Sequence, residues 1–193
     1  MDDETFWNVI ERCRAQTRDP DERLLWLRGH LAERPEAEIL RFQVCLDTAL
    51  VPTFTWDLWA AADRMLGWCS DDVFFYFRLW LVGLGRDTFE RVARSPDALA
   101  DVPQIHRLAG RSPAAWPDEE VPEWEELDYV AARAFEDVTG RTEDDFYDAM
   151  DALRVEDLES AEPVGERWDA ALDAEASRRL PRLSALFPAT DVL

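Results

Sequence analysis

The stretch from Trp68 to Leu81 constrains the fold of this chain more than any other, because a helix start leads directly into a helix without a polar face. Ser70 is a favourable N-cap residue, since its hydroxyl accepts a hydrogen bond from an unpaired N–H group of the first turn. Asp71 and Asp72 then place negative charge at the positive end of the helix dipole. The residues that follow are apolar in every direction around the axis: Phe74, Phe75, Tyr76, Phe77, Leu79, Trp80 and Leu81. This pattern predicts a central helix over about residues 71–82, surrounded by other helices.

Caps, prolines and the helical spacing of apolar residues divide the rest of the chain into further helices. Asp19 and Pro20, for example, form an N-cap followed by proline at the first helical position. No stretch alternates apolar and polar residues as a half-buried strand does. The sequence therefore predicts an all-α protein, a single compact multi-helix domain around the central helix.

We predict three regions within this one domain. Residues 1–102 form a helical core. Residues 103–122 contain four prolines and an acidic run, which predicts a loop over the surface. Residues 123–193 supply C-terminal helices that pack on the same core. The last helix is predicted from about Trp168 to Leu180, after a stretch between residues 156 and 165 in which the helical pattern fades.

The charge of the chain limits the partners that it can bind. The chain has 42 acidic residues against 21 basic ones, all of them arginine, and a formal net charge of -21. A phosphate backbone is bound through clusters of Lys and Arg, so we expect no direct contact with nucleic acid. A basic protein partner fits this charge. The absence of lysine is also typical of GC-rich coding sequences, and codon bias is an alternative source of part of the acidity.

The sequence also bears on where the protein is located. No apolar run is long enough to span a membrane, and the first residues are acidic where a secretory signal is basic and then apolar. Cys13, Cys45 and Cys69 lie far apart, without the spacing of a disulfide framework or a zinc site. We therefore expect a cytoplasmic protein that is not bound to a membrane. The sequence leaves its oligomeric state open.

Several motifs together resemble a known family. They are Phe6-Trp7, Leu58-Trp59-Ala60-Ala61, the run from Gly67 through Cys69-Ser70-Asp71-Asp72 and Phe77-Arg78 to Gly85, and Pro96-Asp97 with Leu99-Ala100. This pattern is similar to a bacterial domain-of-unknown-function family, forty-two-forty in that series, common in actinobacteria. Trp68 departs from the family pattern, which has a small residue there. The resemblance implies a helical fold and no established reaction, substrate or cofactor. Similar domains occur beside regulatory or DNA-associated modules and in neighbourhoods that resemble toxin-immunity loci.

Candidate catalytic groups are few. Asp71 and Asp72 could serve as an acid–base pair or as metal ligands, but stabilising the helix start needs no other residue. A thiolate at Cys69 is favoured by the helix dipole and opposed by the neighbouring aspartates. His30 and Glu33 have a spacing found in metal sites, yet the chain has only two histidines. We therefore predict no catalytic residue, no cofactor and no metal centre.

Carboxylates beside aromatic rings are the strongest candidate for a functional surface, because both attract Arg and Lys side chains. The candidate residues are Asp71, Asp72, Arg78, Trp116, Asp118, Glu119, Glu120 and Trp124. Trp116 and Trp124 are expected to be partly exposed, whereas most of the nine tryptophans belong to the core. The leading hypothesis is a protein-interaction module, an immunity-like or regulatory binder of a basic partner. The alternative hypothesis is a helical enzyme with a cleft at the start of the central helix that holds Asp71, Asp72 and Arg78.

Overall fold

The computed structural model describes residues 1–153 and 162–188, and every regular element in these two ranges is a helix. The prediction of a compact all-α fold is confirmed. The α-helices are α1 (Asp3–Gln16), α2 (Pro20–Ala32), α3 (Glu36–Leu50), α4 (Trp56–Leu66), α5 (Asp71–Gly83), α6 (Arg86–Arg94), α7 (Pro103–Leu108), α8 (Glu126–Thr139), α9 (Glu143–Leu153), α10 (Asp173–Arg179) and α11 (Pro181–Leu186). Short 3₁₀ turns lie at residues 51–53, 96–101, 113–115 and 118–120. No helix within the described ranges is both long and apolar enough to cross a membrane.

Side-chain caps set several helix starts where the sequence predicts them. The Asp19 carboxylate accepts hydrogen bonds from the first-turn N–H groups of α2, and the Thr55 hydroxyl does the same for α4. Ser70 Oγ accepts from the N–H group of Val73 at 3.3 Å and begins α5. Gly67 ends α4 in the left-handed conformation, with φ of 77°. These caps satisfy backbone groups that have no partner inside the helix.

The central helix α5 is buried on one side and half covered on the other. Phe74, Phe77 and Leu79 are at most 1% exposed. Phe75 and Tyr76 are only half-buried, although the sequence predicts a helix covered in every direction. Their large rings pack partly against the core and partly against each other, with centroids 6.1 Å apart, so their outer edges remain in solvent. The expectation of complete burial is therefore wrong for this side of α5.

One hydrophobic core takes residues from α1 to α9 and from α11. Within it, α8 lies along α2 and α3. Helix α11 packs against the 3₁₀ turn at residues 96–101, where Asp97 accepts hydrogen bonds from the N–H groups of Arg182 and Leu183. Leu183 is completely buried in the same hydrophobic core.

Two predicted boundaries are wrong. Residues 103–108 form helix α7 instead of a surface loop, because Val102, Ile105 and Leu108 share one side that is buried in the core. The helix predicted from about Trp168 to Leu180 is α10, which begins at Asp173. Before it, the Asp169 carboxylate accepts a hydrogen bond from the N–H group of Ala171 at 2.9 Å and forms a turn. Part of the stretch in which the pattern fades, residues 156–161, lies outside the described residues.

Candidate functional site

The start of α5 exposes its two aspartates without giving them a partner. Ser70 supplies the cap, and the side chains of Asp71 and Asp72 are exposed. Neither carboxylate makes a hydrogen bond or an ion pair in the part of the chain that the structure describes. The two aspartates therefore act on the helix through the dipole alone and remain accessible to an external cation.

Arg78 lies in the core and not on the candidate surface. Its side chain is 2% exposed, and its guanidinium lies 5.0 Å from the ring centroid of Phe54 and 5.6 Å from that of Phe74. Arg78 Nη2 donates to the carbonyl of Leu50 at 2.8 Å, and Nε donates to Thr53 Oγ1 at 3.1 Å. Leu50 is the last residue of α3, so its carbonyl has no partner inside that helix. Arg78 satisfies this carbonyl and ties α5 to α3, and its prediction as a surface residue is wrong.

Trp116 and Trp124 are also buried, each with 7% of its surface exposed. The indole of Trp124 lies against the backbone of Gly83, where an added Cβ would be 2.8 Å from the ring. The backbone N–H group of Trp124 donates to the carbonyl of Tyr76 at 3.1 Å and fixes this segment along α5. The expectation that the two tryptophans are partly exposed is therefore wrong. For Trp124 the reason is the space beside Gly83, which only the fold reveals.

The acidic run at residues 118–120 is divided. Asp118 and Glu119 are exposed, whereas Glu120 forms an ion pair with Arg111 at 2.5 Å. Arg111 Nη2 also donates to the carbonyl of Ala115 at 3.2 Å, so this pair holds the turn together. Two of the three predicted carboxylates therefore remain available to a partner.

Cys69 has the environment of an unreactive thiol. It is buried, and burial raises its pKa to about 12, with the charges of Asp63, Glu123 and Asp71 acting in the same direction. Since the thiolate is the nucleophilic form, Cys69 stays protonated and inert at neutral pH.

His30 is half-buried and held by neighbours on its own helix. Its ring stacks on Trp26 with centroids 4.9 Å apart, and its Nε2 lies 3.2 Å from Arg34 Nη2. Burial and the charge of Arg34 lower the pKa of His30, which keeps the ring neutral. Among residues 1–153 and 162–188, no three His, Cys, Asp or Glu side chains are grouped as metal ligands.

A different surface contains all three tyrosines of the chain. Tyr76 Oη donates to Glu125 Oε1 at 2.9 Å, and Tyr129 Oη donates to the same oxygen at 3.5 Å. Tyr147 Oη donates to Glu143 Oε1 at 3.2 Å. These residues come from α5, α8 and α9 and from the segment before α8. With Asp72, which lies one turn before Tyr76, we call them the tyrosine–carboxylate face.

Electrostatic coupling shows that the members of this face lie close to one another. The hydrogen bond to Glu125 raises the pKa of Tyr76 to about 12, with smaller effects from Tyr129 and Asp72. Burial raises the pKa of Tyr147 to about 12, and Glu143 and Tyr129 contribute. Tyr76 and Tyr147 therefore remain neutral hydrogen-bond donors at neutral pH.

A shallow depression of 280 Å³ lies on the tyrosine–carboxylate face between α8 and α9. Its lining residues are Tyr129, Ala132, Arg133, Glu136 and Glu143. The Arg133 guanidinium lies over the Tyr129 ring, 5.7 Å from its centroid, and forms an ion pair with Glu126 at 2.5 Å. The surface thus already accommodates one guanidinium between an aromatic ring and a carboxylate.

The sequence contains a signal for this face. Each of the three tyrosines has an acidic residue four positions before it: Asp72 and Tyr76, Glu125 and Tyr129, Glu143 and Tyr147. Residues four apart lie on the same side of a helix, and Tyr129 and Tyr147 each donate to the acidic residue of their pair. Tyr76 donates to Glu125 instead of Asp72. The convergence of the three pairs on one face depends on how the helices pack.

Comparisons with known proteins give a family and no activity. No curated protein and no solved structure matches the chain significantly. The model of one family, described as "Protein of unknown function (DUF4240)", matches residues 1–137. That range holds α1 to α7 and nearly all of α8, with the capped start of α5 and the buried Arg78. Because the match covers more than half of the 193 residues, the chain belongs to the DUF4240 family.

Proposed function

We propose that this protein is a cytoplasmic protein-interaction module, an immunity-like or regulatory binder, that holds a basic protein partner on its tyrosine–carboxylate face. The observation that carries this proposal is a surface on which three tyrosines donate to two carboxylates, those of Glu125 and Glu143, with Tyr129 and Glu143 lining a depression. Tyrosine is enriched where proteins bind each other, since its rigid ring contributes contact area and its hydroxyl a hydrogen bond.

The chemistry of this face suits arginine in particular. A guanidinium stacks on an aromatic ring and pairs with a carboxylate at the same time, which a lysine ammonium does less well. Arg133 already makes both contacts there, over Tyr129 and with Glu126. A partner's arginine would find the same combination at Tyr76 or Tyr147.

The charge of the whole molecule supports fast association with such a partner. The formal net charge of -21 attracts a cationic surface over distances of about one Debye length, roughly 8 Å at physiological ionic strength. We therefore expect the association rate to fall steeply with added salt, while the contacts with the tyrosine rings are less affected.

A peptide-binding experiment tests whether a cationic partner binds at the tyrosine–carboxylate face. A deca-arginine peptide is expected to bind more tightly than deca-lysine, measured by fluorescence anisotropy. The double variant Glu125→Gln/Glu143→Gln should weaken arginine binding by about fivefold to thirtyfold, because two ion pairs contribute about 0.5–1 kcal/mol each.

The matched control is Asp118→Asn/Glu119→Gln, which removes the same charge from the acidic run. Equal weakening by both double variants would mean that overall charge, and not this face, binds the peptide. Greater weakening by the control would move the site to the run at residues 118–120. A pull-down from the native cell that recovers no basic protein would overturn the proposed function itself.

The alternative of a helical enzyme with a cleft at the start of α5 stays a prediction. Arg78, which that cleft would need, is enclosed by Phe54 and Phe74. No observation on the described residues favours it over the interaction module.

A further inference from the structure

Residues 162–169 lie outside the helices and cross the start of α4, with a bend at Gly165, whose φ is 102°. Val164 forms a parallel β-bridge with Thr55. The Val164 N–H group donates to the carbonyl of Phe54 at 2.9 Å, and the Trp56 N–H group donates to the carbonyl of Val164 at 3.0 Å. The backbone of residues 54–56 thus offers one acceptor and one donor to a neighbouring extended chain.

Side chains of the same segment contact the start of α4 through a cation and an indole. The Arg167 guanidinium lies 4.9 Å from the ring centroid of Trp56, and Trp168 Nε1 donates to Asp57 Oδ1 at 2.8 Å. Trp56 stacks in turn on Trp59 with centroids 5.5 Å apart. The surface below the segment is therefore a fixed aromatic stack with a carboxylate beside it.

The segment itself is held by few contacts. Val164 is 64% exposed, and the residues from Gly165 to Arg167 are exposed as well. Arg167 makes no hydrogen bond or ion pair within the described part of the chain, and its guanidinium lies over the Trp56 ring. Glu166 forms an exposed ion pair with Arg179 of α10 at 2.5 Å. The chain beyond the segment is anchored firmly, because Arg64 donates to the carbonyls of Ala170 and Phe187 at 3.0 and 2.7 Å. Since an exposed ion pair contributes little to stability, residues 164–167 can detach with the loss of the Glu166–Arg179 pair and without unfolding α10 and α11.

We propose that the start of α4 is a binding groove for an extended, arginine-bearing protein segment, and that residues 164–167 occupy it within the same molecule. The two backbone hydrogen bonds require only an extended chain, so a partner's segment can replace them. The ring of Trp56 and the carboxylate of Asp57 select a cationic side chain next to it. This groove is distinct from the tyrosine–carboxylate face, and the inference does not depend on the proposed function.

Hydrogen exchange of the Trp56 amide tests whether the groove opens. In the full chain, this amide is expected to exchange by local opening, faster than the amides of the α5 interior. Arg167→Ala should accelerate it by about twofold to fivefold, the factor that corresponds to one exposed cation–π contact. The control Arg178→Ala, which removes a charge from α10 instead, should leave the exchange rate unchanged.

A peptide with the sequence of residues 162–169 tests what the groove binds. Added to the Arg167→Ala protein, it should slow exchange of the Trp56 amide again, and the same peptide with alanine in place of arginine should do so less. In the wild-type protein the added peptide should slow exchange of the Trp56 amide less, since residues 164–167 compete with it for the groove.

Two results would overturn the proposal. One is exchange of the Trp56 amide as slow as that of the α5 interior and unaffected by Arg167→Ala. The other is equal protection by both peptides. Failure of either test leaves binding at Glu125 and Glu143 unaffected, so the two proposals can be told apart.

Discussion

Replacement of Gly85 by alanine is expected to destabilise the protein by about 2–4.5 kcal/mol, for two separable reasons. Gly85 precedes α6 with φ of 90° and ψ of 162°, a conformation that residues with a side chain rarely adopt. An added Cβ would also lie 2.3 Å from Glu11 Oε1. The substitution therefore strains the backbone and displaces a carboxylate.

The displaced carboxylate has a structural role. Glu11 Oε1 accepts a hydrogen bond from the Arg86 N–H group at 3.0 Å and thereby caps α6 from another helix. The backbone strain costs about 1–3 kcal/mol. Loss of a charged helix cap adds about 1–1.5 kcal/mol. Each kcal/mol of this loss lowers the melting temperature by roughly 2–4 °C for a chain of this size.

Urea unfolding, followed by tryptophan fluorescence and circular dichroism, measures the free energy of unfolding, to which both the backbone strain and the lost cap contribute. Glu11→Ala alone should cost about 1 kcal/mol. The double variant should cost less than the sum of the single variants by about that amount, because the clash disappears with the carboxylate.

Gly67→Ala is the matched control. Gly67 also has positive φ, 77°, but an added Cβ meets nothing within 4 Å. It should cost about 1–2 kcal/mol, the penalty of the left-handed conformation alone. A loss at Gly85 no larger than that at Gly67, or full additivity with Glu11→Ala, would refute the reasoning.

Three other predictions concern buried and titrating groups. Arg78→Met should lower the free energy of unfolding by about 1.5–3 kcal/mol in urea, because the buried Leu50 carbonyl loses a charged donor and keeps the Thr53 hydroxyl. Hydrogen bonds from Arg178 and then Arg179 lower the pKa of Glu175 from 4.5 to about 2. Glu175 therefore stabilises the folded state above pH 4.5, and this contribution is lost as the pH falls toward 2. Glu175→Gln should flatten that part of the stability profile, measured by urea midpoints across the window. For Tyr76, whose pKa is raised from 10 to about 12, stability should decrease as the pH rises through that range. Glu125→Gln should lower the midpoint of its tyrosinate absorbance.

The helix starts were predictable because their causes are local. Ser70 bonds to a residue three positions away, and Gly67 ends its helix through its own backbone conformation. The burial of Trp124 was not predictable in this way. An indole near an acidic run is suited to the surface or the core, and the outcome depends on the space beside Gly83, which belongs to a different helix.

The same distinction applies to the candidate site. The sequence places an acidic residue one turn before Tyr76, Tyr129 and Tyr147, and helical geometry makes each pair local. Tyr76 and Tyr129 share one carboxylate oxygen only because the segment before α8 is hydrogen-bonded to α5 through the Trp124 backbone N–H group and the Tyr76 carbonyl. Asp118, Glu119 and Glu120 are equally acidic, yet Arg111 holds Glu120 in a structural pair.

By itself, the sequence determined the all-α class, most helix positions and the negative charge, since these depend on composition and on residues within one or two turns. Tertiary structure alone decided that Arg78 is enclosed by Phe54 and Phe74 and that Tyr76 and Tyr129 donate to the same carboxylate oxygen. The physical reason is that burial and contact between distant residues are properties of packed faces. Which faces meet depends on the volume and shape of every side chain between them.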